Sequence, residues 1–240
     1  MQCRLCLGDR PLCKSHIISE FLFSILYDKD HRYIEVTDVK KGKVRKGQSG
    51  YKERLLCSDC EKLLNSYERH SRRLFRDVLP SPVLGTARMR EFHNLDYRLL
   101  KLFFLSVLWR ASISSLPIFK NVSLGPHEER LRTMIYSGAA GSEADYPTLF
   151  FILHLDGQHL RDFMVEPTHM RVEGRKCYRL VLSGLVVLIF VSSQQLPDPF
   201  PRVVLSPSRP VRGYDAEFGQ FAFLRAVWKN AGEATKHKEI

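Results

Sequence analysis

Two cysteine pairs with metal-binding spacing are the most informative residues of this 240-residue chain. Cys3 and Cys6 form one Cys-x-x-Cys pair near the N-terminus, and Cys57 and Cys60 form the second pair further along. Each pair is a tight turn that directs two thiolates to one point. Two such turns supply the tetrahedral sulfur ligands that a structural zinc ion prefers. The sequence therefore predicts one zinc site made of these four cysteines.

A second ligand set stays open. Cys13-x-x-His16 could complete a compact site with Cys3 and Cys6, although the gap between Cys6 and Cys13 is short for a second ligand pair. The paired cysteines could also be reduced thiols in the core, but the first pair lies at a chain end that would fray without a metal. Cys177 lies in a strand-like pattern and is expected to be a core thiol.

Hydropathy and the first residues of the chain indicate the cellular compartment in which we expect the protein. Residues 1–4 are polar and no apolar run follows them, so we expect no secretory signal. The longest apolar stretch, residues 180–191, has about 12 residues, whereas a bilayer-spanning helix needs roughly 20. We therefore expect a cytoplasmic protein without a membrane partner. In a reducing compartment, Cys-x-x-Cys pairs indicate metal binding or redox chemistry rather than disulfides.

Basic residues are concentrated in and beside the predicted zinc module. The formal net charge of the chain is +11. Five basic residues and no acid lie within residues 40–46: Lys40, Lys41, Lys43, Arg45 and Lys46. Four arginines follow the second cysteine pair within one helix length: Arg69, Arg72, Arg73 and Arg76. Such a field attracts polyanions, so we expect all of these residues except Arg76 to bind nucleic acid; a solubilising surface is the alternative.

The element pattern predicts a zinc module over residues 1–79 and an α+β domain over residues 83–240. In the module we expect a short helical stretch at 17–27, a strand at 33–39, a basic turn at 43–49 and a helix that opens at Cys57.

In the second domain, residues 95–115 are apolar on most of the helix circumference, which predicts a helix central to the core. A second helix is expected to begin at Pro126 and to run to residue 135. Strands are expected at 149–155, 161–165, 170–172, 178–182, 185–191 and 203–205. Asp156-Gly157 and Glu173-Gly174 are typical of hairpin turns, and a last helix is predicted over residues 216–231.

One pattern in the module carries a resemblance. Ser15-His16-Ile17-Ile18 follows the first cysteine pair, and Leu56-Cys57-Ser58-Asp59-Cys60 precedes a helix. Cys-x-x-Cys, then a histidine with two aliphatic residues, then Leu-Cys-x-x-Cys at a helix start resembles the zinc-containing branch of the HNH endonucleases. The resemblance covers residues 3–75. It implies a treble-clef or ββα-metal fold, in which four cysteines clamp a hairpin to a helix.

The same resemblance implies an activity. The hairpin histidine, His16, would activate water to attack a phosphodiester, with Mg²⁺ or Mn²⁺ as the catalytic ion. Glu61 follows Cys60 at the place where many zinc-type HNH proteins carry Asn or His. A carboxylate there could hold a hard divalent ion, on one helix face with Asn65 and Glu68.

The chain departs from the family pattern at three places. Ser15 stands where the family carries an Asp before the histidine, the segment between His16 and Cys57 is long, and no Asn precedes Leu55. His16 could instead be a zinc ligand or a packed histidine, and Glu61 could simply complement the helix dipole.

The fold class expected overall is α+β: an N-terminal treble-clef zinc module, a helical segment, and an antiparallel β-rich domain with a C-terminal helix. Two functions are carried forward. The first is a bacterial or phage HNH-like zinc protein that binds nucleic acid and cleaves it with His16 as general base. The second is a non-catalytic zinc module that docks nucleic acid or a partner protein.

Two segments of the second domain, residues 105–112 and 124–130, resemble segments of uncharacterised bacterial proteins that carry such a zinc module, and this resemblance implies no activity. Arg110 lies on an otherwise apolar helix and is expected to pair with an internal acid. His127, Glu128 and Arg130 are expected to form either a helix N-terminal cap or a polar site.

Overall fold

The computed structural model describes residues 1–38, 43–76, 81–192 and 194–226. We call the described residues up to 76 the head and residues from 81 onward the body. The head contains, in chain order, β1 (Leu12–His16), α1 (Glu20–Phe23), β2 (Tyr33–Asp38), β3 (Lys43–Gly47), β4 (Lys52–Cys57) and α2 (Ser58–Arg76).

A strand–strand–helix unit forms the centre of the head. β1 pairs antiparallel with β4, so that Leu12 lies opposite Cys57 and His16 lies opposite Lys52. β4 leads directly into α2, which buries one apolar face. β2 and β3 form a separate antiparallel ribbon. The prediction of a turn over residues 43–49 is therefore wrong for residues 43–47, which form β3 in a two-stranded ribbon, where a strand tolerates charged residues.

In the body, α3 (Tyr97–Ile113) is the most buried helix of the described chain. Asp96 caps it by accepting a hydrogen bond of 2.8 Å from the Leu99 main-chain N–H. The body contains, in chain order, β5 (Ser81–Pro82), β6 (Met89–Phe92), α3 (Tyr97–Ile113), a 3₁₀ turn (Pro117–Phe119), α4 (His127–Ser137), β7 (Thr148–Leu155), β8 (Gln158–His159), β9 (Val165–Val172), β10 (Arg175–Leu182), β11 (Leu185–Phe190), α5 (Phe200–Val203), β12 (Val211–Glu217) and a second 3₁₀ turn (Phe218–Gln220).

The body strands form one eight-stranded sheet in the order β5-β6-β12-β7-β11-β10-β9, with β8 paired to β7. All neighbouring pairs are antiparallel except β12 and β7, which are parallel. Glu173 and Gly174 join β9 to β10 with positive φ angles of 48° and 74°, as a type I′ hairpin turn requires. The hairpin predicted at this dipeptide is thus confirmed.

The sheet is covered on both faces, which explains its nearly continuous apolar strands. On β7, Phe150 and Ile152 join a cluster that also contains α3 and α2, whereas Leu149 and Leu153 join a second cluster on the opposite face. The first cluster includes buried residues of head and body together. The predicted division at residues 79–83 stays a prediction, but the described parts on either side of it share one core.

Several boundaries differ from the sequence predictions. The strand predicted at residues 203–205 is wrong, because Val203 ends α5 and no strand follows until Val211. The final helix predicted from residue 216 begins later, at residues 222–226, because residues 211–217 form β12. Residues 227–231 of that prediction lie outside the described residues. β12 was not predicted, because Gly213 interrupts the alternation of apolar and polar residues in this segment.

Gly213 is needed where β12 crosses the core. A Cβ atom at this position would come within 2.3 Å of the Phe150 ring, so the ring can lie on the backbone only because the side chain is missing. The mixed α+β class with a mainly antiparallel sheet is confirmed, whereas the treble-clef geometry stays a prediction. Among the described helices, none has the length and apolarity that crossing a bilayer requires.

Candidate functional site

The four paired cysteines meet at one point. Each supplies a sulfur, and the four Sγ atoms lie within 4.8 Å of one another. A tetrahedral zinc ion with Zn–S bonds of about 2.3 Å would hold its sulfurs about 3.8 Å apart, and the Sγ atoms of Cys6 and Cys57 are 3.8 Å apart. Cys3, Cys6, Cys57 and Cys60 therefore form a cluster that could hold a metal ion such as zinc.

Main-chain hydrogen bonds shape the first cysteine turn and attach it to the hairpin. The Cys3 N–H donates to the Gly8 carbonyl at 2.9 Å, and the Leu7 N–H donates to the Cys3 carbonyl at 2.9 Å. The Arg4 N–H donates to the Leu55 carbonyl at 2.9 Å, which joins the turn to β4. These main-chain hydrogen bonds thus hold the first cysteine turn beside the second cysteine pair independently of a metal ion.

The pKa values of the clustered thiols shift in opposite directions. Burial alone would raise the pKa of the Cys3 thiol, but main-chain N–H groups of Cys6, Cys57 and Leu5 lower that pKa to about 7. Burial, followed by the neighbouring thiols of Cys57 and Cys3, raises the pKa of Cys60 far above its ordinary value. Because a metal requires thiolates, an ion in this cluster would favour the deprotonated form of every ligand.

The alternative ligand set is not brought together. Cys13 pairs with Leu56 across the hairpin, and neither Cys13 nor His16 joins the four-cysteine cluster. Cys177 lies fully buried on β10, and burial raises its pKa to about 12, so it is the core thiol that was predicted.

His16 ends β1 beside a carboxylate that sequence reasoning missed. Its Nε2 atom lies 2.9 Å from Oε2 of Glu20, and Glu20 Oε1 accepts a hydrogen bond of 2.7 Å from the Tyr27 hydroxyl. Burial, followed by the charge of Lys52, lowers the pKa of His16, while Glu20 and Glu68 oppose that shift. The net shift favours the neutral imidazole, which is the form that can accept a proton. No local pattern in the sequence indicates this pair, because His16 ends a strand and Glu20 begins a helix, so the helical rule for residues four apart does not apply.

Arg110 of α3 reaches into the same place from the body. Its side chain is 1% exposed, and its Nη1 atom lies 2.7 Å from the His16 carbonyl and 2.9 Å from Glu68 Oε1. The Nη2 atom lies 3.4 Å from Ser19 Oγ. The internal acid predicted to pair with Arg110 is thus Glu68, on α2.

A cleft of about 470 Å³ runs along α2 beside this group. It is lined by Phe21, Asn65, Glu68, Arg69 and Arg72. The four α2 residues are spaced so that they share one helix face. Arg69 and Arg72 are exposed, and Glu68 connects the cleft to Arg110 and, through its charge, to His16. The cleft thus combines oxygen ligands with guanidinium groups.

Glu61 stands at the first turn of α2, next to Cys60. Its Oε1 atom is buried and has no hydrogen-bond partner within the described part of the chain. The structure places no hydrogen bond or ion pair between the described atoms of Glu61 and those of His16. The described contacts thus link His16 to Glu20, Glu68 and Arg110, rather than to Glu61.

Ser15, the residue directly before His16, has a structural role. It is 1% exposed, and its Oγ atom accepts a hydrogen bond of 3.2 Å from the Leu56 main-chain N–H. The residue before His16 therefore belongs to the hairpin interior, and no carboxylate is supplied there.

The remaining predicted phosphate contacts fall into two groups. Lys46 is exposed at the end of β3, and Arg73 is half-buried on α2. Lys43 and Arg45 lie on β3, but their side chains are outside what the structure describes, and Lys40 and Lys41 lie outside the described residues altogether.

A second cavity, of about 540 Å³, lies in the body beside the start of α4. His127 and Arg130 line it, and neither residue supplies a side-chain cap to α4. His127 Nδ1 lies 3.1 Å from the Tyr146 hydroxyl, and Arg130 pairs with Asp145 at 2.7 Å. Glu128 instead accepts a hydrogen bond of 2.9 Å from the Ser112 hydroxyl.

Comparison of the chain with protein-family models, with curated proteins and with solved structures gives no match.

Proposed function

We propose that this protein is a zinc-containing, divalent-metal-dependent endonuclease of HNH type that acts on nucleic acid in the cytoplasm. The observation that carries the proposal is the position of His16. It is a neutral imidazole at the end of β1, in contact with Glu20 and electrostatically coupled to Glu68, which lines a cleft with Arg69 and Arg72. A base, a carboxylate and two phosphate-binding cations are the groups that phosphodiester hydrolysis needs.

Each residue has a defined role in this proposal. His16 takes the proton of the attacking water, and Glu20 stabilises the imidazolium that forms. Arg69 and Arg72 bind the phosphates on either side of the scissile bond. Zinc, held by the four cysteines, fixes the hairpin against α2 and takes no part in the reaction.

The proposed reaction also needs a divalent ion, and one oxygen atom of Glu61 indicates that the residues present fit such an ion. The buried, unpartnered Oε1 atom of Glu61 suits a cation, and Asn65 offers a further oxygen on the same helix face. Mg²⁺ or Mn²⁺ bound there would supply charge neutralisation at the leaving oxygen.

A specific observation favours a second function. Because Ser15 is buried in the hairpin, the aspartate that helps to hold the ion in the family is replaced by a residue that cannot reach it. Under this alternative the head is a non-catalytic zinc module, and Arg69, Arg72 and the β2–β3 ribbon dock nucleic acid or a partner protein.

Cleavage of plasmid DNA and of RNA with Mg²⁺ or Mn²⁺ separates the two functions. We expect wild type to cleave and His16→Ala to lose cleavage, with zinc content and nucleic-acid affinity unchanged. His93→Ala is the matched control, since His93 is an exposed histidine of the body. Absence of cleavage by wild type with either ion would favour the binding module, and loss of zinc in His16→Ala would make His16 structural.

A further inference from the structure

We propose that Arg110, a residue of the body, is a positioning residue for His16, so that the body sets the geometry of the candidate nuclease site. This inference rests on the proposed function. Arg110 lies far from the head in sequence and outside the segment that carries the HNH-like pattern. Its guanidinium nevertheless contacts three separate pieces of the head.

The contacts of Arg110 converge on the elements that surround His16. Nη1 donates to the main-chain carbonyl of His16 itself, which fixes the end of β1. Nη2 lies within reach of Ser19 Oγ, just before α1, and Nη1 also pairs with Glu68 on α2. One planar guanidinium thus holds three groups in place: the base His16, the start of the segment that carries Glu20, and Glu68, which lines the cleft.

Burial makes this arrangement specific. Arg110 is 1% exposed, and its Nε atom donates to the Ser106 carbonyl of its own helix at 3.3 Å, so the fork has a fixed orientation. A guanidinium can serve several acceptors in one plane, whereas an ammonium is a point charge on a flexible stem. Lysine at this position would keep the charge and lose the simultaneous contacts.

A second arginine, Arg132, joins a body helix to the head in a structural role only. Arg132 on α4 donates to the main-chain carbonyl of Leu5, in the first cysteine turn, and pairs with Glu129 at 2.7 Å. It too joins a body helix to the head backbone. It contacts neither His16 nor the lining of the cleft among the described residues, so Arg132→Lys is a matched control for Arg110→Lys.

Four charged groups act on His16 from the elements around it. Lys52 faces it from β4, Glu20 from α1 and Glu68 from α2, and Arg110 from α3 neutralises Glu68. Removal of the guanidinium charge leaves Glu68 unpaired, and an unpaired carboxylate raises the pKa of a nearby histidine. Arg110→Gln should therefore raise the pKa of His16, and Arg110→Lys should leave it near the wild-type value.

The test measures zinc content, thermal stability, DNA affinity and the cleavage rate constant at saturating DNA for Arg110→Lys, Arg110→Gln and Arg132→Lys. A displacement of about 1 Å at a reacting group can cost about 10²-fold in rate. We expect Arg110→Lys to lose about 10²-fold in rate constant with zinc content and DNA affinity unchanged, and Arg132→Lys to keep the wild-type rate. Wild-type rate in Arg110→Lys, or an equal loss in Arg132→Lys, would overturn the proposal.

An NMR titration of the His16 imidazole provides a readout that needs no cleavage. If wild type does not cleave, the proposed function fails, but a raised pKa in Arg110→Gln still supports control of His16 by Arg110. An unchanged pKa overturns that control as well. If the Arg110 variants do not fold, Glu68→Gln replaces them. It should lower the pKa of His16, because the Glu68 carboxylate raises it, and an unmoved titration there would also overturn the proposal.

Discussion

Ser15 Oγ accepts a hydrogen bond from the Leu56 main-chain N–H, and both residues are buried where β1 and β4 pair. The contact gives the serine directly before His16 a structural role in the hairpin. It also predicts the result of placing an aspartate at this position.

Ser15→Asp should destabilise the protein instead of improving the site. A carboxylate at this buried position would lose its hydration, and such burial costs about 2 kcal/mol or more in unfolding free energy. The loss should shrink as the pH falls from the raised pKa of the buried carboxyl group towards the ordinary aspartate pKa of about 3.9, because the group then folds in its neutral form. Denaturant unfolding at pH 7 and pH 4 measures both effects. Lys14→Asp, on an exposed position of the same strand, is the control, and equal losses in both variants would contradict the argument.

Zinc should depend on the four clustered cysteines and not on Cys13. Cys60→Ser is expected to lose the single zinc ion per chain and to unfold the head, since structural zinc contributes about 10–16 kcal/mol of apparent binding free energy in small modules. Cys13→Ser should keep the metal, because Cys13 lies outside the cluster. Metal analysis together with hydrogen exchange resolved by segment provides the measurement. Retention of zinc by Cys60→Ser would show that the ligand set is different.

Arg69 and Arg72 should account for part of the salt dependence of DNA binding. Both are exposed and line the cleft on α2. Each neutralised phosphate contributes about 0.9 to the slope of log affinity against log salt concentration, so Arg69→Gln with Arg72→Gln should reduce that slope by about two units. Lys120→Gln with Arg202→Gln, a matched pair of exposed cations on the body, should leave the slope unchanged. A slope that is equally steep in both double variants would move the interface elsewhere.

A feature of the fold or of the site could be predicted from the sequence where the contacts that create it are local in the chain. The four-cysteine cluster was predictable because each pair carries its own turn, and the central helix was predictable because its apolar residues cover nearly the whole circumference. The Arg110 contacts could be anticipated only as a pairing with some acid, since nothing local points to Glu68 or to the His16 carbonyl. β12 was missed for the same reason: Gly213 makes sense only once the Phe150 ring is known to lie over it.

Lys101 should make the unfolding free energy of the body depend on pH in the alkaline range. It is 1% exposed, its Nζ atom donates to the Tyr97 hydroxyl at 2.9 Å and to the Ser142 carbonyl at 2.6 Å, and burial lowers its pKa to about 8. Between that value and the unfolded pKa of about 10.4, the unfolded chain binds more protons, so the wild type gains stability as the pH rises.

The comparison with Lys101→Met isolates this term. Relative to the variant, the wild type should gain up to about 3 kcal/mol of unfolding free energy between pH 7.5 and pH 10.5, since each pKa unit corresponds to about 1.4 kcal/mol. Denaturant titrations across this range measure the difference. A constant difference between the two proteins would show that Lys101 folds fully protonated.

Glu20 should tune His16, and the change should be visible in the pH dependence of cleavage. Its carboxylate lies 2.9 Å from His16 Nε2 and raises the pKa of that imidazole against the effects of burial and of Lys52. In Glu20→Gln the pKa of His16 should fall further, so the acidic limb of the rate profile should move to lower pH. The maximal rate should also fall, by about tenfold or more, because the imidazolium formed during proton transfer loses its partner. Glu173→Gln, a change in an exposed hairpin turn of the body, should alter neither quantity. An acidic limb that stays in place in Glu20→Gln would show that His16 is not the group whose ionisation limits cleavage.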